Sequence, residues 1–414
     1  MNGHSPVILY SIVILATLLM PVASAMDPLW TQEATSGGEL SCVVISEDGS
    51  TIVAGGDQLM ALSRDGIKLW TGWSGSPLVI SREGNYILTF RDQTIRLFSG
   101  SGTMLWDMSL GDYVKEITMT EDASLIAAGG GNRVRIITTA GTGLRQNTTI
   151  PVNHIRFFPS GGQTRFFPES KGVVITTKNG IQISNLTLLS EWTDTNVTQD
   201  FVEVAADGAS FVSVTNNRIR MYTRDGSLKW DRRLPGGNAL ASAYSRDGSL
   251  IVIGKDDNTV QALDDNGTLL WTAHAAHWIT SVAVSEDGNI IAAGSMDKTL
   301  SVYDREGTKL GSFTARTAIK AHSVAMSGDG SVIAAVDESA VYVFSRSQFT
   351  QPVPTAMTTT ELTVPQTAST AAATIAATPP RPDQSRTETP QAFVSPVIPL
   401  LVFLLLVVCR SRNS

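Results

Sequence analysis

Between Met26 and Gln348 the chain is a succession of short apolar or alternating runs, each broken within a few residues by Gly or Asp. No stretch there shows the three-to-four-residue spacing of an amphipathic helix, whereas period-two alternation and β-branched residues point to strands. One segment shows the unit. Ile279 to Val284 reads as a first strand, and Asp287-Gly288 is a hairpin signal because Gly accepts positive φ. Ile290 to Gly294 gives a second strand of small and β-branched residues, and Asp297-Lys298 turns the chain. Leu300 to Tyr303 forms a third, Arg305-Glu306-Gly307 turns again, and Lys309-Leu310 begin a fourth. In other copies that fourth strand ends in Trp, as in Gly267-Thr268-Leu269-Leu270-Trp271.

The unit repeats. Trp30, Trp70, Trp106, Trp192, Trp230 and Trp271 are spaced by 40, 36, 86, 38 and 41 residues, and the long gap is two periods. Ser46-Glu47-Asp48-Gly49-Ser50-Thr51-Ile52 returns in related form at 81–87, 120–126, 206–211, 245–251, 285–291 and 327–333, with a degenerate copy around Pro159-Ser160-Gly161-Gly162. Four antiparallel strands per ~40 residues is the period of a propeller blade. A lone blade cannot bury both faces, but a ring of them buries each against its neighbours. The expected fold is all-β, an eight-bladed β-propeller; seven blades follow if the second or fourth repeat is not a true blade. The eighth repeat stops at Phe344-Ser345 without a Trp-ended strand, and Asp27-Pro28-Leu29-Trp30-Thr31 is the strand expected to close it.

Ala276-His277, Ser285-Glu286-Asp287-Gly288, Ala293-Gly294-Ser295, Asp297 and Tyr303-Asp304 together resemble a WD-repeat. The resemblance implies that His277 and Asp297 form the hydrogen-bonded network of such a blade. It gives Asp57, Asp92, Asp257 and Asp337 the same turn position. Ser63-Arg64-Asp65-Gly66-Ile67-Lys68-Leu69-Trp70 and its copy at 223–230 resemble pyrroloquinoline-quinone-type repeats, in which the six terminal Trp residues would dock blade on blade. Both families host many activities, so the likeness speaks to architecture.

The ends suggest an exported, anchored protein. Val7 to Leu19 is apolar and leads to Ala23-Ser24-Ala25, so residues 1–25 read as a signal peptide cleaved before Met26. Residues 26–348 are the propeller. Residues 349–392 hold twelve Thr and little large apolar side chain, a disordered stalk. Residues 393–409 are uncharged and apolar, a transmembrane or sorting segment, and 410–414 with Arg410 and Arg412 form a cytoplasmic tail. Cell-surface display is therefore expected, on a prokaryote and by preference an archaeon. Asn147, Asn185, Asn196 and Asn266 head Asn-x-Thr sequons and are the candidate glycosylation sites of an expected glycoprotein. The net charge is −7, which argues against nucleic acid as a partner. Cys42 and Cys409 are the only cysteines, too few for a disulfide framework or a thiolate zinc site.

Candidate chemistry lies in the loops linking one blade's last strand to the next blade's first. Trp73, Tyr113 and Trp278 there are suited to stacking on a sugar or anchoring a protein, with Arg232 beside them. His274 and His277 lack a third ligand, and the Asp194-Asn196-Thr198-Asp200 run lacks the Gly and Glu of a calcium loop. No metal and no cofactor are expected. No nucleophile elbow or phosphate loop is present. The reading is a monomeric, membrane-anchored extracellular scaffold that is not an enzyme and binds a protein or surface glycan through its loop face. The alternatives are a carbohydrate-active lyase or hydrolase and a structural envelope component.

Overall fold

The computed structural model describes residues 24–348 apart from 36, 77, 148–149, 159–171, 178, 196–200 and 206. The chain separates into two units, Met1–Val353 and Pro354–Ser414, and the second lies wholly outside the described residues, as do residues 1–23 of the expected signal peptide. Among the described residues no helix is long and apolar enough to cross a membrane.

Eight separate sheets form the first unit, so the ring has eight blades rather than seven. Their innermost strands are, in order, Leu40–Ile45, Leu78–Ile80, Glu116–Met119, His154–Phe157, Phe201–Val204, Ala239–Tyr244, Ile279–Val284 and Val324–Met326. Each is followed outward by antiparallel neighbours, and the innermost strand of blade 8 packs back on that of blade 1. Eight apolar clusters fill the eight gaps between adjacent blades. The second strands are buried along most of their length, and Ile290–Ser295 along all of it, which explains their small and β-branched composition.

The recurring Ser-x-Asp-Gly phrase is a side-chain-capped hairpin. Ser46 Oγ donates to Asp48 Oδ1 at 2.6 Å, Ser50 N–H donates to the same oxygen at 2.9 Å, and Thr51 N–H donates to Ser46 Oγ at 3.0 Å. Ser245, Ser285 and Ser327 repeat the arrangement with Asp247, Asp287 and Asp329. These carboxyls are held below their ordinary value because hydrogen bonds from the turn outweigh burial. The abundant turn Asp residues are thereby accounted for structurally.

Ring closure is made by Trp30–Glu33, which pairs antiparallel with Ala340–Ser345 as the outer strand of blade 8. It starts three residues later than expected, since Pro28 has no N–H to donate; the first bond comes from Leu29 N–H to Val343 O at 2.7 Å. Ahead of it, Ser24–Ala25 adds a short parallel fifth strand to blade 7, and Met26 is buried between blades 7 and 8.

Each blade-terminal Trp meets the next blade. Trp30, Trp70, Trp106, Trp230 and Trp271 donate their indole N–H, at 2.8 Å, to the carbonyls of Arg64, Gly100, Thr139, Asp265 and Arg305. Their rings lie on a turn glycine of that blade; a Cβ on Gly102 would stand 2.5 Å from Trp70, and one on Gly226 2.4 Å from Trp192. Blade 3 lacks the Trp because Arg145 takes that register position, opposite Ile136.

Candidate functional site

The strand directions give the ring two faces. One carries the linking loops and the turns between second and third strands, here the linker face. The other carries the remaining hairpins, here the hairpin face.

On the linker face Trp73, Tyr113 and Trp278 are 54, 59 and 47% exposed. They stand in the loops joining blades 1 to 2, 2 to 3 and 6 to 7; Trp73 follows the outer strand of blade 1 directly, and its ring centroid lies 6.4 Å from that of the buried Phe98 of blade 2. Arg232 is exposed near the end of the outer strand of blade 5, its guanidinium 6.0 Å above the Trp230 ring.

Aspartates hold most of the linking loops in place, and Arg91 ties the Trp73 loop by donating to Ser74 Oγ at 2.6 Å. Asp297 accepts Ala276 N–H at 2.8 Å and Thr299 N–H at 2.8 Å. Asp337 accepts Arg316 and Thr317 N–H, both at 2.9 Å, and Asp57 accepts Glu39 N–H at 3.2 Å. Asp257 accepts Gly237 N–H and lies 3.5 Å from the buried Lys255 Nζ. Asp92 works through its backbone, with φ +56° and its carbonyl accepting Val114 N–H at 2.9 Å. Blade 3 reverses the device: Asp112 in the loop accepts Asn132 N–H at 3.1 Å from the turn.

The expected His277–Asp297 pair does not form. The His277 ring is exposed, and its Nδ1 accepts the N–H of Trp278 at 2.8 Å. Asp297 is instead engaged by the N–H groups of Ala276 and Thr299 and by the Thr299 hydroxyl. Among the described residues no group of three His, Cys, Asp or Glu is placed to hold a metal. Cys42 is buried with a free thiol, pushed up to about 11 by that burial. Of the sequons, Asn266 is exposed, Asn147 and Asn185 are half-buried, and Asn196 lies outside the described residues. Asn185 Nδ2 already donates to Glu191 at 2.6 Å.

A second cluster, inside the channel, was not expected. Arg156 of blade 4 pairs with Glu116 of blade 3 and lies 3.5 Å from Glu203 of blade 5. His154 Nδ1 is 3.4 Å from Glu116. Burial alone would raise the Glu116 carboxyl, but Arg156 and His154 outweigh it and hold it at about 2. Glu203 goes the other way, raised because burial outweighs the help from Arg156 and His154. His322, in the loop leading into blade 8, is held below its ordinary value, chiefly by the protein packed around it. The signal was present: only the innermost strands of blades 3, 4 and 5 contain a charged or His residue.

At the hairpin face Arg246 of blade 6 crosses the axis. It reaches Glu121 of blade 3 at 2.9 Å, Glu286 of blade 7 at 3.0 Å and Glu47 of blade 1 at 3.7 Å.

Residues 267–304 match the family model described as WD domain, G-beta repeat. The chain carries a WD-type repeat within an eight-bladed ring. The matched stretch is the blade 7 region, the same one that keeps His277, Asp297 and Tyr303-Asp304. No curated protein matches the sequence. Among solved structures the C-terminal WD40 domain of Sif2 is similar with TM-score 0.66 and 13% identity, over 78% of this chain and 99% of that one. The computationally designed Ika8 protein gives 0.63 and 16%, over 77% and 100%. Sqt1 from Chaetomium thermophilum, bound to the N-terminus of the ribosomal protein L10, gives 0.60 and 13%, over 74% and 97%. At these identities the likeness establishes the fold.

Proposed function

We propose that the linker face is a protein-docking surface and that the ring is a scaffold displayed outside the cell. WD-type propellers are typically non-enzymatic protein-interaction scaffolds, and the Sqt1 structure holds a segment of another protein. The observation that carries the reading is the trio Trp73, Tyr113 and Trp278, exposed on one face, with the Tyr113 and Trp278 loops held by Asp112 and Asp297 and the Trp73 loop by Arg91. Large aromatics on preorganised loops lose little entropy on binding and make strong anchors. The channel carboxylates favour this reading over the enzymatic one, since Glu116 and Glu203 flank a shared arginine that neutralises charge.

The anchored, extracellular placement rests on the apolar run ending Ala23-Ser24-Ala25 and on the uncharged segment before Arg410. A surface glycan is the alternative partner on the same aromatics.

Peptide display against the full-length chain, with a Trp73→Ser/Tyr113→Ser/Trp278→Ser variant in parallel, tests the docking surface. Selected peptides should bind the variant at least tenfold more weakly; equal binding removes the linker face as the site. Proteolysis of intact cells tests placement: loss of the propeller from whole cells is expected, and full protection overturns an extracellular position.

A further inference from the structure

We propose that Met26 replaces the missing docking tryptophan of blade 7, and that its seating leaves the Ala25–Met26 bond open to cleavage only before the ring folds; the second half rests on the exported placement proposed above. Among the described residues six blades end in a Trp laid on a turn glycine of the next blade, and blades 3 and 7 do not. At the seam of blades 3 and 4 the loss is balanced within the ring. Arg145 takes the Trp position and is exposed, while Leu188, at φ +61°, takes the position of the turn glycine and is buried with Leu125, Val134 and Ile136. Blade 7 has Gly311 opposite Val302, where blade 6 has Trp271 opposite Ala262. Glycine brings no side chain to that seam.

The N-terminal segment supplies one. Ser24 and Ala25 pair in parallel with Gly311 and Ser312. The next residue, Met26, is 6% exposed and packs in one cluster with Leu300 and Val302 of blade 7 and Tyr342 and Phe344 of blade 8. A thioether on an unbranched stem fills irregular gaps of this kind. Gln348 Nε2 then donates to Asp27 O at 2.8 Å and Leu29 N–H to Val343 O at 2.7 Å, so the segment crosses from blade 7 to blade 8. The same seating covers the expected cleavage site. Proteases act on opened backbone rather than on a paired strand. The scissile nitrogen is that of Met26, whose N–H donates to Ser312 O at 2.8 Å, and the side chain following the bond is buried. Hydrolysis adds water across the amide and leaves a carboxylate on Ala25 and an ammonium on Met26. That ammonium retains N–H donors for Ser312 O, so the processed chain gives up Ser24 and Ala25 and keeps its plug. Processing thus precedes folding, and a chain that folds first retains residues 1–25.

Leader-peptidase cleavage of the full-length chain in detergent decides, on folded protein and on protein freshly diluted from urea, with N-terminal sequencing to place the cut and melting curves to follow the seam. The unfolded chain should be cut after Ala25 and the folded chain on the order of a hundredfold more slowly. Folded Met26→Ala should be cut about tenfold faster than folded wild type and melt at a lower temperature, because its seam opens more often. Met26→Leu should restore both, and Leu29→Ser, at a 51% exposed position on the same segment, should change neither. Equal cutting of the folded and unfolded chains overturns the proposal, and so does a Met26→Ala variant that melts and is cut as wild type; both outcomes leave the leader reading of residues 1–25 standing. Absence of a cut after Ala25 in either state overturns the proposal together with that reading.

Discussion

Ala123 occupies the turn position that glycine fills in the other capped hairpins, and it does so at φ +51° against +68° to +73° for Gly49, Gly84, Gly248, Gly288 and Gly330. A left-handed non-glycine residue costs about 1–2 kcal/mol, while glycine frees the unfolded chain by about 0.4–1 kcal/mol. Ala123→Gly should therefore stabilise the protein by about 0.5–1 kcal/mol, read from the denaturant midpoint at unchanged slope. A loss of stability would mean that the Ala123 methyl, buried in the turn, contributes more than the strain costs. This scale was the most legible in sequence. Ser-x-Asp-Gly is read correctly because all its bonds are local, Ser46 to Asp48 to Ser50. The His277 role was misread for the converse reason: whether an imidazole reaches Asp297 depends on a loop whose path the sequence does not spell out.

The closing strand belongs to the next scale. Trp30–Glu33 gives blade 8 its fourth strand, and Trp30 donates to Arg64 of blade 1 while its ring covers Gly66. One short element therefore ties the chain's beginning to both sides of the seam. A chain starting at Ala34 should lose more stability than strand length suggests, because it leaves an unpaired edge on Ala340–Ser345 and an open seam between blades 8 and 1. Calorimetry should show a lower melting temperature and a broader, less cooperative transition. A transition as sharp and as hot as that of the full chain would show that the ring closes without it. The missing fourth strand could be counted from the repeats alone. Its register follows the other blades, with Trp30 opposite Val343 as Trp70 is opposite Ala61 and Trp271 opposite Ala262. The extra pairing of Ser24–Ala25 with Gly311 and Ser312 could not be read, since it has no counterpart in the other blades among the described residues.

Across the whole ring the charges divide by sector, and this was the least legible level, because the meeting of Glu116, Arg156 and Glu203 depends on how neighbouring blades pack. Glu116 and Glu203 flank the same arginine yet affect stability with opposite sign. Glu116 has a folded value of about 2 against an ordinary 4.5, so its contribution is present above pH 4.5 and lost as pH falls towards 2. That difference is on the order of 3 kcal/mol. Glu203 is raised, so its contribution is present below pH 4.5 and is lost as pH rises through its folded value. Glu116→Gln should thus destabilise the protein at pH 7 by about 3 kcal/mol, with the deficit shrinking towards pH 3. Glu203→Gln should be neutral or stabilising at pH 7 and lose that advantage in acid. Denaturant titrations of both variants between pH 3 and 8 measure the two slopes. Parallel slopes would mean that Arg156 serves both carboxylates equally, and that the bias of the channel towards Glu116, seen in its direct contacts with Arg156 and His154, has no energetic weight.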